Sequence, residues 1–536
     1  MRFVALLLLV PSLAFAADAP PPPLYPGLGK THHAVSTKNA DAQKYFDQGL
    51  VLTYGFNHDE AYRAFEQASK LDPNCAMAYW GMALVLGPNI NMPMDTTAEP
   101  RAYAHEQQAL KLASAATPAE RAYIRALAKR YAPKGSTDRS ARDKAYSDAM
   151  RGVAKAYPDD ADAQALFAES IMDLTPWDYW QRDGKPNPGT PELLATIEKA
   201  LAKDPDHILA IHLYIHAVEA SPDPFRAMPY AEKLPKLVPG AGHLVHMPSH
   251  LYRSAGRWED SKELNQTAAE VDRKYIEAQK PTGIYPVAYY THNMHFIAYA
   301  ASMSGQSKVA IDAAKKMYEN VPSDVVKQMS MAEMFTPYEM LVLARFGRWS
   351  EILTVPAQPA HYRYTNAIRH YVRGLALAAT KHRDLAGQER DSLLAAIPGF
   401  ADDYMVGFNN AKPLLRLAAQ HLAAEIAWRD GRPLQAIPLL RGAVAMEDSL
   451  HYDEPPDWYA PMRPYLGAAY LEINKVAEAE AAYREDLKNN PNNGWSLFGL
   501  SQCLHSRDAG EERAKVDAEL KEAWKNADVT LTQSRF

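Results

Sequence analysis

The chain has 536 residues, of which 47% are hydrophobic and 23% are charged, an ordinary balance for a globular protein. Its formal net charge is −6 and no basic stripe is visible, so nucleic acid is not an expected partner. The two cysteines, Cys75 and Cys503, are too few for a cysteine-based zinc site or a disulfide framework.

The N-terminal segment MRFVALLLLVPSLAFA, from Met1 to Ala16, is predicted to form a signal peptide. Arg2 supplies a positive start, the apolar run that follows is too short to span a bilayer, and the final Ala-Phe-Ala fits the cleavage rule. We therefore expect cleavage after Ala16 and export to a periplasm. No later run is apolar for long enough to form a transmembrane helix.

Residues 17–40 are predicted to form a proline-rich arm, since the run from Pro20 to Pro23 favours a stiff, extended backbone. The arm also carries His32 and His33, and His58 follows at the start of a predicted helix. The sequence leaves open whether these three histidines join a functional site.

A helical repeat begins in AQKYFDQGLVLTYGFNHDEAYRAFEQASKLDP, residues 42–73. Small residues lie at Gly49, Ala61 and Ala68, an aromatic residue at Phe65 and a proline at Pro73. This pattern resembles the tetratricopeptide repeat (TPR), a pair of antiparallel helices that recurs about every 34 residues. In that family the small residues lie where helices approach closely, and the proline ends the second helix.

The pattern recurs along the chain. Small, large hydrophobic and proline residues match the repeat in later units: Ala227, Ala231, Leu234, Pro239; Ser249, Tyr252, Ala268; Ala298, Ala310, Ala314, Pro322; Ala424, Ala436, Leu440, Ala443; Gly467, Tyr470, Ala479, Tyr483 and Pro491. Four glycines then fall on position 15, the turn between the two helices: Gly256, Gly305, Gly347 and Gly431. No segment alternates with period two, so no sheet is expected.

The predicted fold is all-α, an α-solenoid of TPR-like antiparallel helix pairs. N-terminal TPR-like helices are expected over residues 41–174, central repeats over 194–325 and C-terminal repeats over 326–536. Residues 175–193, TPWDYWQRDGKPNPGTPEL, interrupt the rhythm with prolines, glycines and tryptophans. We interpret them as an ordered loop and a candidate lid.

Histidines occupy equivalent positions in three central units. The TPR resemblance implies that positions 2, 5, 9, 12 and 13 of each repeat face the concave groove. His212 and His216, in HILAIHLYIHAVEAS, occupy positions 5 and 9, and the same two positions of the next unit hold His246 and His250. Seven histidines at positions 2, 5 or 9 are therefore predicted metal ligands: His212, His216, His243, His246, His250, His292 and His295.

The chemistry of this set favours a transition metal. Residues four apart share a helix face, and neighbouring helices pack about 8–10 Å apart, so imidazoles from adjacent helices can converge. Imidazole ligands suit divalent copper or zinc, with iron or nickel also compatible, and argue against magnesium and calcium. Seven histidines exceed one four-coordinate site, so a dinuclear centre is one arrangement.

Three further residues are predicted to serve this site. Glu219, at position 12, is a candidate ligand or catalytic base, and Tyr299, at position 9, a candidate hydrogen-bond donor to a substrate. Arg253 is a candidate clamp for a substrate carboxylate. For Tyr299 and Arg253, packing in the groove wall and a solvated side chain are the alternatives.

Two hypotheses follow. The first is an exported metal-dependent enzyme, a copper or iron oxidoreductase or a zinc hydrolase, acting on a small molecule or peptide held in the groove. The second is a non-catalytic periplasmic scaffold that binds a peptide or protein partner, which is the common use of repeat folds. The sequence does not choose the metal or the substrate.

Overall fold

The computed structural model describes residues 21–136, 139–507 and 509–536. The predicted signal peptide, residues 1–16, lies outside the described residues. Within them, the chain is a succession of α-helices with a single two-stranded antiparallel ribbon, Met405–Val406 paired with Asn409–Asn410. The predicted all-α fold of TPR-like helix pairs is confirmed.

The helices follow one another along the chain, with the longest connection between Met172 and Thr190. In the first half they are α1 Ala40–Tyr54, α2 His58–Leu71, α3 Ala76–Leu84, α4 Glu99–Leu112, α5 Pro118–Leu127, α6 Ser140–Ala156, α7 Ala161–Met172, α8 Thr190–Lys203, α9 Ile208–Val218, α10 Met228–Ala231, α11 Leu234–Leu237, α12 Gly242–His246, α13 Pro248–Ser254 and α14 Trp258–Gln279. In the second half they are α15 Ile284–Met303, α16 Ser307–Asn320, α17 Ser323–Gln328, α18 Tyr338–Arg345, α19 Trp349–Thr354, α20 Arg363–Ala379, α21 Arg383–Ala396, α22 Ala411–Arg429, α23 Pro433–Asp448, α24 Arg463–Glu472, α25 Val476–Asn489, α26 Gly494–Ser506 and α27 Gly510–Ala523.

The chain divides into two compact units. The N-terminal unit comprises residues 21–251 and Thr267–Pro286, and the C-terminal unit comprises Tyr252–Gln266 and Val287–Phe536. Within the described residues, no helix has both the length and the apolar content that crossing a membrane requires.

Close helix packing in the N-terminal unit depends on glycine. The Phe65 ring of α2 lies between Gly49 of α1 and Gly81 of α3, and a Cβ on either glycine would lie 2.7 or 2.5 Å from that ring. The predicted close approach of helices at the small repeat positions is therefore present. It lets a large aromatic side chain fill the space between three helices without a void.

The C-terminal unit repeats this arrangement. The Tyr483 ring of α25 lies between Gly467 of α24 and Gly499 of α26, where an added Cβ would lie 2.5 or 2.1 Å from the ring. The Tyr483 hydroxyl contacts the Ser534 hydroxyl at 2.8 Å, so the final residues of the chain pack against the same repeat.

The four turn glycines predicted from the register all have positive φ, from 64° to 73°. In three of them the turn also touches a distant segment: the carbonyl of Pro491 at Gly256, the Trp524 ring at Gly305 and the Phe536 side chain at Gly347. Turn geometry alone predicts these glycines from the sequence. The structure adds that Pro491, Trp524 and Phe536 each lie against one of three successive turns of the C-terminal unit.

Gly256→Ala is expected to destabilise the protein more than Gly431→Ala. Both positions have left-handed backbone, with φ of 66° and 73°, which costs an alanine about 1–2 kcal/mol. A Cβ at Gly256 would lie 2.1 Å from the Pro491 carbonyl oxygen, whereas nothing lies within 4 Å of one at Gly431. Overpacking should add about 1–3 kcal/mol to the loss at Gly256 alone.

The measurement is the free energy of unfolding in urea for the two variants and the unchanged chain. Equal losses for the two variants would show that the segment around Pro491 does not press on the Gly256 turn.

Candidate metal centre

Two neighbouring helical segments of the N-terminal unit supply a cluster of histidines. The helix α9 is apolar on all sides and fully buried, so His212 and His216 on one of its faces are buried too, at 0% and 3% exposure. The second segment carries His243, His246 and His250. It forms two short helices, α12 and α13, rather than one continuous helix, because Pro248 lacks the backbone N–H that a helix interior needs.

Five imidazoles form a closed circuit of contacts. Ring centroids lie 5.0 Å apart for His212 and His243, 5.2 Å for His243 and His246, and 4.8 Å for His246 and His250. The circuit closes through His250 and His216 at 5.2 Å, and His216 and His212 at 4.9 Å. We call these five residues the histidine circuit. The register of the repeat predicted this convergence.

Acceptor atoms fix the orientation of three of the rings. The Nδ1 atom of His212 lies 2.6 Å from the Tyr54 carbonyl oxygen. The Nδ1 atoms of His216 and His250 lie 2.8 and 2.5 Å from the two oxygens of Glu219. A carbonyl or carboxylate oxygen only accepts, so each Nδ1 carries the hydrogen, and a neutral ring then has its lone pair on Nε2.

The Nε2 atoms of the circuit face one another. They lie 3.2 Å apart in the His212–His243 pair and again 3.2 Å apart in the His246–His250 pair. Two nitrogens bound to a tetrahedral zinc ion lie about 3.3 Å apart, given bonds of about 2.0–2.1 Å. The Nε2 of His216 has no hydrogen-bond partner among the described residues. Donor atoms of His212, His216 and His243 all lie within 4.8 Å of one another.

Burial sets the charge of the cluster. It lowers the pKa of His212 well below the usual value, reinforced by the charge of His216, and it lowers the pKa of His216 as well. Burial would raise the pKa of Glu219, but the neighbouring imidazoles of His250 and His216 and their hydrogen bonds bring it down to about 2. The site therefore combines the neutral imidazoles of His212 and His216, whose lone pairs can bind metal, with the ionised carboxylate of Glu219.

Each oxygen of Glu219 accepts a hydrogen bond from one imidazole. A carboxylate in this position orients histidines that bind a metal. A group of donor atoms from His216, Glu219 and His250 is also compact, all within 4.8 Å. Because the Nδ1 atoms of both histidines donate to Glu219, we interpret this group as the support of the circuit.

Two aromatic side chains cover the circuit, and the sequence analysis missed the first of them. The Phe56 ring lies 4.4 Å from the His212 ring, and the Trp177 ring meets His216 edge-on at 5.1 Å. Both residues have left-handed backbone, with φ of 56° and 62°, which is uncommon for large side chains. Phe56 occupies repeat position 15, where four other units have glycine, and that departure was a usable signal.

The segment predicted as a loop, residues 175–193, lies against the end of α9, but from Thr190 onward its residues form the start of α8. The Trp180 indole N–H donates to the Ala217 carbonyl at 2.7 Å, and Trp180 forms an isolated bridge with Pro186. These contacts hold the loop against the end of α9, beside His216. Whether the loop opens as a lid remains a prediction.

The remaining predicted ligands belong to the C-terminal unit. His292 packs edge-on against Phe296, with ring centroids 5.0 Å apart. His295 packs between Phe335 and Tyr338, and neither of its ring nitrogens has a hydrogen-bond partner among the described residues. Burial lowers the pKa of His295 to about 3, so this ring stays neutral.

The two candidate substrate residues also lie in the C-terminal unit. Tyr299 is 2% exposed and packs edge-on against Trp258 in a cluster with Ala300 and Met303. The Arg253 guanidinium lies 3.5 Å from a carboxylate oxygen of Glu454.

The N-terminal unit also contains His32, His33 and His58, the three histidines for which the sequence did not decide whether they join the site. His32 is largely exposed and contacts Asp47 at 2.9 Å, and His33 contacts Asp162 at 2.6 Å. Burial lowers the pKa of His58 to about 4. None of the three belongs to a compact group of metal-ligating atoms within the described residues.

No protein family model matches the chain, and no curated protein matches it. Among solved structures, the chain is similar to the APC/C hetero-tetramer Cut9–Hcn1, with 14% identity over 92% of this chain and 76% of that chain and a TM-score of 0.31. It is also similar to the human IFIT1 dimer with m7Gppp-AAAA, with 11% identity over 91% of each chain and a TM-score of 0.33. Yeast Tom70 matches at 10% identity over 91% of this chain and 93% of that chain, with a TM-score of 0.29. Similarities this distant carry no inference about function.

The metal-free protein is expected to lose stability as the pH falls below about 6.5, because the unfolded histidines then bind protons and the buried ones do not. His212 and His216, whose pKa values are lowered, each contribute stability that is complete above this pH. Below about pH 6.5, protonation of each of these two histidines in the unfolded chain should lower the free energy of unfolding by about 1.4 kcal/mol per pH unit.

The measurement is the free energy of unfolding in urea at pH 7.5, 6.0 and 5.0 for the metal-free chain and its His216→Gln variant. The variant should show a pH dependence weaker by about 1.4 kcal/mol per unit below about pH 6.5. Burial would lower the pKa of His33, but its hydrogen bond to Asp162 and the charges of Asp162, Asp160 and Glu120 together raise it. Because His33 is common to both proteins, its contribution cancels in the difference. An unchanged slope would contradict a neutral, buried His216.

Proposed function

We propose that this protein is an exported, periplasmic α-solenoid metalloprotein that holds a divalent transition-metal ion on His212, His216 and His243. The observation that carries the proposal is the convergence of imidazole nitrogens: an Nε2–Nε2 distance of 3.2 Å, with a third histidine whose Nε2 lacks a hydrogen-bond partner among the described residues. In the metal-free protein, the N–H of His243 can donate to the Nε2 of His212. A bound metal ion would take the place of that hydrogen between the two nitrogens.

The supporting contacts match those of metal-binding histidines. Such ligands donate their second ring N–H to a carboxylate or a backbone carbonyl, which fixes the ring and its tautomer. His212 donates to the Tyr54 carbonyl and His216 to Glu219. The all-imidazole set favours copper or zinc and is compatible with iron. The second pair, His246 and His250, could begin a second site and make the centre dinuclear.

Three nitrogen ligands leave the fourth position of a tetrahedral ion open, which is the arrangement of catalytic sites. This favours a metal-dependent enzyme, oxidative with copper or iron or hydrolytic with zinc, acting on a small molecule or peptide. Glu219, the candidate ligand or base, would then orient His216 and His250, since each of its oxygens accepts a hydrogen bond from one of them.

One observation favours the alternative, a periplasmic scaffold that binds a peptide or protein with a structural ion or none. Every histidine of the circuit is at most 3% exposed, and Phe56 and Trp177 cover the rings. A substrate reaches such a site only if a covering residue moves.

The first experiment is elemental analysis of the mature chain purified without a histidine tag, beside two variants. We expect near-stoichiometric copper, zinc or iron in the unchanged protein and its loss in a His212→Ala, His243→Ala double variant. His295→Ala is the matched control: His295 is equally buried, but its ring lies among aromatic side chains, so metal content should be retained.

Far-ultraviolet circular dichroism checks that the variants remain helical. The metal found would direct the choice between oxidase and hydrolase assays. No metal in the unchanged protein, even after reconstitution with each ion, would refute the metalloprotein proposal and leave the scaffold.

A further inference from the structure

Arg345, the last residue of α18 in the C-terminal unit, is a buried cation without a hydrogen-bonding counter-charge. Its side chain is 2% exposed, and none of its three guanidinium nitrogens has a hydrogen-bond partner among the described residues. It lies two residues before Gly347, at repeat position 13, one of the positions that the TPR resemblance directs to the groove. The register therefore held a signal for this residue that the sequence analysis did not use.

An unpaired guanidinium is costly in a protein interior. Arginine does not lose its proton under ordinary conditions, so it cannot become neutral as a buried histidine does. Removing such a charge from water is strongly unfavourable unless a counter-charge and hydrogen bonds replace the water. Among the described residues, the Arg345 guanidinium thus has no hydrogen-bonded counter-charge.

The C-terminal unit contains a second buried arginine, Arg535, which forms the ion pair that Arg345 lacks among the described residues. Arg535 stacks over Trp428 at 3.6 Å, as Arg345 stacks over Trp495 at 4.0 Å. Arg535 also donates to both oxygens of Glu425, at 3.0 and 2.7 Å. Both arginines stack on a tryptophan, but of the two only Arg535 donates hydrogen bonds to a carboxylate within the part of the chain that the structure describes.

The surroundings of Arg345 are aromatic, with one further polar group. Its guanidinium lies 5.9 Å from the Tyr465 ring, and the His421 ring packs on the same tyrosine at 4.5 Å. The Nδ1 of His421 contacts the Tyr371 hydroxyl at 2.7 Å. Its Nε2 has no hydrogen-bond partner among the described residues, the oxygen of Glu425 being 3.9 Å away.

The nearby carboxylate of Asp486 does not fill this role. Its oxygens accept hydrogen bonds from the side chains of Asn490, Asn493 and Ser496, at 3.1, 2.6 and 2.5 Å. It forms no ion pair with Arg345 among the described residues, so its contacts are already committed to the turn between α25 and α26.

We propose that Arg345 is the anchor of a binding site for the carboxylate of a small aromatic or apolar acid. The planar fork of a guanidinium matches a carboxylate in two parallel hydrogen bonds. Trp495 and Tyr465 supply the apolar walls, and His421 a second polar contact. Solvent does not reach the guanidinium in this conformation, so the acid enters as an aromatic side chain moves aside. The site lies wholly in the C-terminal unit and is independent of the histidine circuit.

The test uses benzoate as the probe and isothermal titration of the full-length mature chain, with benzamide as the uncharged counterpart. We expect one benzoate per chain and no binding of benzamide. Arg345→Met should weaken benzoate binding about tenfold to hundredfold, because a charge-assisted hydrogen bond contributes that much. Arg429→Met is the matched control, since Arg429 is paired with Glu425 and lies over Trp349, and should leave the affinity unchanged.

A second measurement guards against loss of folding in the variant. In the absence of benzoate, Arg345→Met should unfold at a urea concentration equal to or above that of the unchanged chain, because the substitution removes an uncompensated charge. Lower stability of this variant would mean that Arg345 is satisfied within the protein and would overturn the proposal. Binding of inorganic phosphate but not of benzoate, or benzoate binding that survives Arg345→Met, would overturn it as well.

Discussion

The hydrogen bonds at Nδ1 of three buried imidazoles determine how the histidine circuit of the N-terminal unit is oriented. The Tyr54 carbonyl fixes His212, and Glu219 fixes His216 and His250. Without these acceptors each ring could place its hydrogen on either nitrogen, and the lone pairs would have no common direction. With them, the rings of His212 and His250 direct Nε2 at the Nε2 of a second histidine, His243 and His246 respectively, at 3.2 Å in each pair.

The repeat explains why so few contacts suffice to build the cluster. Equivalent positions of successive units place His216 beside His250, while His212 meets His243, so α9 and the α12–α13 segment meet along one face. Packing at the small positions keeps these helices close, as the Phe65 ring between Gly49 and Gly81 does earlier in the chain. The position of all five imidazoles depends on this one register.

Sequence periodicity predicted the helical pairs, the turn glycines and the five histidines of the circuit, because each is encoded by side chains at fixed repeat positions. It could not supply the Tyr54 carbonyl, since every residue has one and only the fold decides which meets His212. Nor could periodicity show that the seven histidines fall into two units. The assignment of His292 and His295 to the C-terminal unit depends on contacts between distant segments. Trp177 was assigned to a loop, but its edge contact with His216 depends on a left-handed backbone that the sequence does not specify.

Tyr54 joins the histidine circuit to the N-terminal arm, which bears on the role of His33. Its backbone carbonyl accepts from His212, while its hydroxyl donates to Asp162, and Asp162 also accepts from His33 at 2.6 Å and from His207 at 2.9 Å. His33 is therefore linked to a circuit histidine through Asp162 and Tyr54. The Asp162 carboxylate accepts from the arm, from α1 and from His207, the N-cap residue of α9, so one acceptor holds together three segments that lie next to the circuit.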